Sequence, residues 1–189
     1  MQRQRPDFDE PVRTAAHKLF FALWPGADVR VQIEQRAKAI NGEHPRGRLL
    51  EPARYHLTLH FLGEDVDMSP QLIKDTVNAA GRVQAPAFDL SLDQAGSFHN
   101  VWWLGSAHPP VGLQVLWQLL GTELAHAQVN VASSDTFTPH VTVVRDAPAR
   151  LSPTPIAPIH WRVRDFVLIG SQPPHPYTIL HRWPLPDAQ

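Results

Sequence analysis

Along this chain, compact apolar runs alternate with stretches whose apolar positions recur at helical spacing. KLFFALW, Lys18 to Trp24, is a block of bulky apolar residues stopped by Pro25 and Gly26, which predicts a buried strand. From Ala27 to Ile40, Val29, Ile33 and Ile40 recur close to a 3.6 period with charged and amide residues between them, predicting an amphipathic helix that ends in a loop from Asn41 to Pro52. In YHLTLHFLG, Leu57, Leu59 and Phe61 alternate with His56, Thr58 and His60, the two-residue period of a strand with one apolar and one polar face, closed by Gly63. Ser69 and Pro70 then supply a cap and a first helical position, and Leu72, Ile73, Val77 and Ala80 the buried stripe of a second helix. AFDLSLDQAGSF reads as the next strand.

The second half runs through a similar order. VWWLG predicts a buried strand, Gly112 to Ala127 a helix with Leu113, Leu116, Trp117, Leu120 and Leu124 inward, and HVTVV an alternating strand. Phe20 precedes His56 by 36 positions and Trp102 precedes His140 by 38, and a later strand in each half carries Phe-x-Leu, at Phe88 and Leu90 and at Phe166 and Leu168. The repeat fails at APARLSPTPIAP, whose four prolines disfavour helix and sheet alike, so neither is predicted there. WRVRDFVLIGSQ and YTILHRWPL close the chain as a hairpin across PPHP. The order predicts an α+β fold in one domain, residues 17–185, built from approximate repeats 17–98 and 99–185. Residues 1–16, dominated by charge and proline, are expected to form a flexible lead-in.

At 189 residues and 43% hydrophobic the chain can bury one substantial core. Seventeen basic against 18 acidic residues leave a formal charge of −1, without the strong field of proteins that coat long nucleic acids, yet compatible with a short or terminal phosphate ligand. Arg46, Arg48 and Arg54 gather locally, as a phosphate site or as a solvated loop. The absence of cysteine excludes a disulfide framework, a thiol nucleophile and cysteine-ligated metal. Leu19 to Trp24 is too short to span a bilayer, and the first residues hold no apolar signal region, so a cytoplasmic protein without membrane association is expected, as a monomer.

The candidate chemistry lies in two tetrads of one form, His-Leu-Thr-Leu at 56–59 and His-Val-Thr-Val at 140–143. Alternation puts each histidine and its threonine on one face of a strand, roughly 7 Å apart. Random placement of the 11 histidines and the threonines gives about 0.1 such tetrads, so two at matching places in the two halves are a signal. If the halves pack about a pseudo-two-fold axis, two imidazoles and two hydroxyls face one group of phosphate size. With an unperturbed pKa of about 6.5, one imidazole can take a proton from water while the other gives one to a leaving oxygen. Thr58 and Thr142 can hold the nonbridging oxygens. Arg145, just beyond the second tetrad, either pairs with the phosphate through its planar fork or snorkels into solvent.

These residues resemble the two-histidine phosphoesterase superfamily, and specifically the RNA 2′,3′-cyclic phosphodiesterases, also labelled 2′-5′ RNA ligases. KLFFALWP, HLTLHFLGE, VWWLG, FTPHVTVVR and YTILHRWPL carry the resemblance across most of the chain. It implies a bilobal fold of two antiparallel sheets with outer helices around a central cleft, and hydrolysis of a 2′,3′-cyclic phosphate, on RNA ends or cyclic nucleotides, to a 2′-phosphomonoester. It further implies that His56 is the proton donor to the 3′ oxygen and His140 the proton acceptor that activates water, with phosphate contacts from Thr58, Thr142 and Arg145. Relatives often carry Pro-Arg before the Val-x-Trp-Leu-Gly strand, whereas this chain has His99-Asn100, which removes any substrate contact made by that arginine. Tyr177, in the closing strand, either lines the cleft and stacks on a base or packs in the core.

Neither a metal nor a cofactor is expected. His56 and His60 have H-x-x-x-H spacing, but on a strand they stand roughly 13 Å apart, beyond shared ligation. Two alternatives remain: a non-catalytic RNA-end-binding module, and reversible 2′-5′ ligation as the main activity, since joining a cyclic end to a hydroxyl is the microscopic reverse of opening the ring with an alcohol.

Overall fold

A computed structural model describes residues 17–42, 47–64, 68–132 and 136–187. The expected lead-in at 1–16, and Arg46, lie outside the described residues. Strand β1 is Lys18–Leu23, followed by helix α1, Ala27–Asn41; a two-residue strand β2, Arg48–Leu49; a 3-10 turn, Pro52–Arg54; and β3, Leu57–Gly63. Next come α2, Pro70–Ala80, and β4, Phe88–Phe98. The second half supplies β5, Val101–Gly105; α3, Val111–His126; β6, His140–Arg145; β7, Thr154–Val163; β8, Asp165–Ser171; and β9, Thr178–Pro184. Ser69 caps α2 as its sequence predicts, its Oγ accepting from the Leu72 N–H at 3.3 Å with Pro70 at the first helical position.

All strand pairs are antiparallel, in the order β7-β4-β5-β6-β3-β1-β8-β9, with β2 on β6. The order is palindromic if β3 is matched with β6, β1 with β5, β8 with β4 and β9 with β7. The fourth strand of each half has crossed to the sheet of the other: β4 pairs with β5, and β8 with β1. The two expected sheets therefore meet as one hydrogen-bonded array, through the single register pair Leu57↔Val141. The ladder goes no further because other partners take the facing edges. Beyond Val141, β6 bonds to β2 and to the Leu50 N–H, and the Phe61 carbonyl of β3 accepts from the Ala132 N–H at 2.8 Å.

KLFFAL is continuously apolar because both of its faces are covered. Leu19, Phe21 and Leu23 join the main core, while Phe20 and Ala22 face a smaller cluster with Val167, Ile169, Trp24, Phe61 and Tyr177. α1 lies against β6 and β7, and α3 against β3, β4 and α2.

The expectation of no strand in the proline-rich stretch is overturned. Its second part, from Thr154, forms β7, whose prolines are tolerated because β7 is an edge strand paired only with β4. The register slips between Leu92↔Ile159 and Gln94↔Pro155, and Pro158 falls in that irregular segment. WRV of the expected final hairpin belongs to this strand, and the hairpin itself is β8–β9.

Candidate active site

The strict alternation predicted for β3 stops at Leu59. Phe21 pairs with His60 but Ala22 pairs with Thr58, so Leu59 is an extra residue, a bulge that advances His60 and Phe61 by one position. Leu57 and Leu59 stay in the core, His60 turns inward to 8% exposure instead of lying beside Thr58, and Phe61 turns out of the main core toward the smaller cluster. β6 does the same after its own tetrad. Trp102 pairs with Val144 and Trp103 with Thr142, so Val143 is the extra residue and both Val143 and Val144 are buried. Unbulged alternation would put residue 144 beside His140 and Thr142. The bulge puts Arg145 there instead.

One cavity of about 510 Å³ is lined by all six residues singled out from sequence, His56, Thr58, His140, Thr142, Arg145 and Tyr177. Lys18, Arg48 and Arg54 line it too, against a single acid among the described residues, Glu64. Lys18 is paired with Glu64 at 2.5 Å, and Arg48 with Asp146 at 3.2 Å. Among the described residues, neither Arg54 nor Arg145 has an acidic partner within salt-bridge distance. The cavity thus offers positive charge to an anion.

Both imidazoles are held in the same way. His56 Nδ1 is 2.7 Å from the Arg54 carbonyl and His140 Nδ1 is 2.8 Å from the Thr138 carbonyl, each two residues upstream. A carbonyl only accepts, so Nδ1 carries the hydrogen in both rings and Nε2 is left to exchange a proton. The packing differs. His56 lies among Phe20 at 5.0 Å, Trp24 at 6.5 Å and Tyr177 at 5.3 Å between ring centroids, whereas His140 meets Phe98 edge-on at 5.0 Å. Burial holds both rings below the usual histidine pKa, His56 down to about 4. His140, Arg30 and Arg145 also push His56 down, and the Arg54 carbonyl opposes them.

Tyr177 sits one residue before β9, edge-on to Phe20 and His56 and beneath the Arg54 guanidinium, so it is both a packed tyrosine and a wall of the cavity. His60 is turned away from His56, its Nε2 spent on the Trp117 carbonyl at 2.8 Å. Among the described residues no three acidic or histidine side chains are placed to hold a metal ion.

A second cavity, about 530 Å³, shares Thr58, Phe61 and His140 with the first. Its aromatic lining is Phe61, Phe98, Trp117 and Phe137, with Trp117 and Phe137 stacked at 5.0 Å and 6°. The sequence did not single these rings out for a site. Phe61 and Trp117 sat on faces read as core, and no local pattern marks Phe98 or Phe137 as neighbours of His140.

Residues 27–172 match the family model described as the 2′-5′ RNA ligase superfamily. The chain belongs to that superfamily. Within it, the chain is 36% identical over 174 residues to the RNA 2′,3′-cyclic phosphodiesterase of Escherichia coli (strain K12), covering 89% of this chain and 96% of the relative. It is similar in structure to a crystal structure of a phosphoesterase, TM-score 0.78 at 34% identity, covering 90% of this chain and 99% of that one. It is also similar to E. coli LigT complexed with 3′-AMP, TM-score 0.76 at 34% identity, covering 90% and 98%. The superfamily match spans both tetrads and every residue of the first cavity except Lys18, Phe20, Pro173 and Tyr177. No helix among the described residues is long and apolar enough to cross a membrane.

Proposed function

We propose that this chain hydrolyses 2′,3′-cyclic phosphates at RNA ends or on nucleotides to 2′-phosphomonoesters, by acid–base catalysis between His56 and His140. The observation that carries this reading is the pair of imidazoles facing one cationic cavity, each with Nδ1 tied to a backbone carbonyl and Nε2 free for a proton. The relative named RNA 2′,3′-cyclic phosphodiesterase and the 3′-AMP complex of a structural neighbour support the substrate class. Residues 17–185 are read as one domain whose halves, 17–98 and 99–185, each deliver one tetrad; the matching places of β3 and β6, β1 and β5, and β4 and β8 in the strand order support that reading.

In the reaction, His140 Nε2 takes a proton from water as the water oxygen bonds to phosphorus. The bond from phosphorus to the 3′ oxygen breaks, and His56 Nε2 gives its proton to that oxygen. The electron pair of the broken bond leaves with the 3′ oxygen, and the two rings exchange protons with solvent to reset. Thr58 and Thr142 donate hydroxyl hydrogens to the nonbridging oxygens, and Arg145 neutralises their charge. The nucleoside extends into the aromatic cavity, where a base can stack.

With both rings below their usual pKa, each keeps its Nδ1 hydrogen and neither carries a second proton, at Nε2, in the ligand-free protein at neutral pH. The bound phosphate supplies the negative charge that restores one, so substrate binding and protonation of the donor are coupled. Hydrolysis is favoured over ligation by the name of the curated relative. The test is turnover of a 2′,3′-cyclic nucleotide by His56→Ala and His140→Ala, with the position of the product phosphate identified. Each change is expected to lower the rate by about a hundredfold or more with folding retained. Wild-type turnover in the double variant refutes the proposal, and binding lost without any turnover in the parent favours a non-catalytic module.

A further inference from the structure

Arg30, in the first turn of α1, is half-buried, away from the cavity lining. Its guanidinium is engaged three ways. Nε donates to the Pro25 carbonyl at 2.8 Å, Nη1 donates to the Pro52 carbonyl, and Cζ lies 4.3 Å above the Trp24 ring. Nη2 is buried without a partner, an arrangement that costs solvation and brings no ion pair in return.

The three contacts converge on His56. The Pro52 carbonyl begins the 3-10 turn and also accepts the Tyr55 N–H, and the last residue of that turn, Arg54, supplies the carbonyl that holds His56 Nδ1. Trp24, beneath the guanidinium, presents its other neighbour, the His56 ring, at 6.5 Å and 22°. We propose that Arg30 is a positioning residue for His56, clamping both the turn that selects its tautomer and the indole against which its ring lies. This rests on the reading of His56 as a reacting group. Arg30 does not line the cavity and acts through its two neighbours.

A second consequence is electrostatic. The Arg30 charge, with His140 and Arg145 of β6, lowers the proton affinity of His56. Arg48 of β2, Arg54 of the turn, Lys18 of β1, the carboxylate of Glu64 and Tyr177 also line the cavity that His56 faces. Replacing the fork by an ammonium keeps the charge but cannot bridge two carbonyls and a ring, so charge and clamp are separable.

The full chain carrying Arg30→Met, Arg30→Lys, Trp24→Leu or His56→Ala is assayed on a 2′,3′-cyclic nucleotide across pH, with thermal melts to establish folding. Arg30→Met is expected to lower kcat by about tenfold or more with KM within about twofold, and to move the limb of the kcat/KM profile set by His56 to higher pH. Arg30→Lys and Trp24→Leu are expected to lower kcat while leaving that limb in place. Wild-type kcat and an unchanged profile in Arg30→Met and Arg30→Lys overturn the proposal. If Arg30→Met does not fold, wild-type kcat in both Arg30→Lys and Trp24→Leu overturns it. Wild-type turnover in His56→Ala overturns the underlying reading instead, which separates the two failures.

Discussion

Burying His56 among three aromatic rings and near three cationic or titratable groups should leave a mark on stability as well as on catalysis. The unfolded chain protonates this imidazole near its ordinary 6.5, and the folded chain only near 4. Between those values the unfolded state binds more protons, so stability falls as pH falls through the window and levels off below it. From about pH 7.5 to about pH 5 the difference amounts to about 2 kcal/mol, or about 1–2 kcal/mol once solvent in the open cleft screens part of the penalty. His56→Asn removes the titration and retains an N–H able to reach the Arg54 carbonyl. Urea unfolding of both proteins at the two pH values, with equal m-values required, gives the difference of differences. His60 and His140, also held below the usual histidine value, titrate in both proteins and cancel. The variant should lose about 1–2 kcal/mol less than the parent. Equal losses in the two proteins would show that the His56 ring is not held unprotonated by its surroundings.

Two further outcomes follow from the site and its support. Arg145→Met should lower kcat/KM by about 10- to 100-fold, the loss of a charge-assisted bond to phosphate of about 1.5–3 kcal/mol, and Arg145→Lys should recover part of it; steady-state kinetics with unchanged kcat/KM in both would remove Arg145 from the site. In Gly96→Ala the new Cβ would stand 2.4 Å from Trp103 Cζ2, forcing the ring that packs on Phe98, itself edge-on to His140, so urea unfolding should show about 1–3 kcal/mol lost, with kcat reduced; full stability would mean the indole yields freely.

Much of this architecture was legible because its signals are local. The 3.6 period of Val29, Ile33 and their neighbours, the Ser69-Pro70 cap and the double-faced apolarity of KLFFAL each depend on nearby residues only, and each appears as the sequence predicts. The two tetrads were legible because identical chemistry at matching places is improbable by chance. What escaped reading depends on partners distant in sequence. β7 tolerates its prolines because, among the described residues, no strand pairs with its outer edge, and edge status is a property of the assembled sheet. The bulges at Leu59 and Val143 are invisible to a two-residue period, so His60 was read onto the polar face and Phe61 onto the apolar one. The carbonyls of Arg54 and Thr138 have no side-chain signature at all.

Because each bulge shifts the strand by one residue, the fifth position after each histidine joins the working face, and there the two strands carry opposite characters. One offers the ring of Phe61, the other the cation of Arg145. A cyclic phosphate is itself lopsided, with a nucleoside on one flank and bare charged oxygens on the other. On the proposed reading, two nearly equivalent strands thereby acquire a polarity: a substrate with its base toward the phenyl ring and its anion toward the guanidinium meets a partner on each flank, and the reversed heading meets neither. The unlike duties proposed for two like histidines would then follow from that heading.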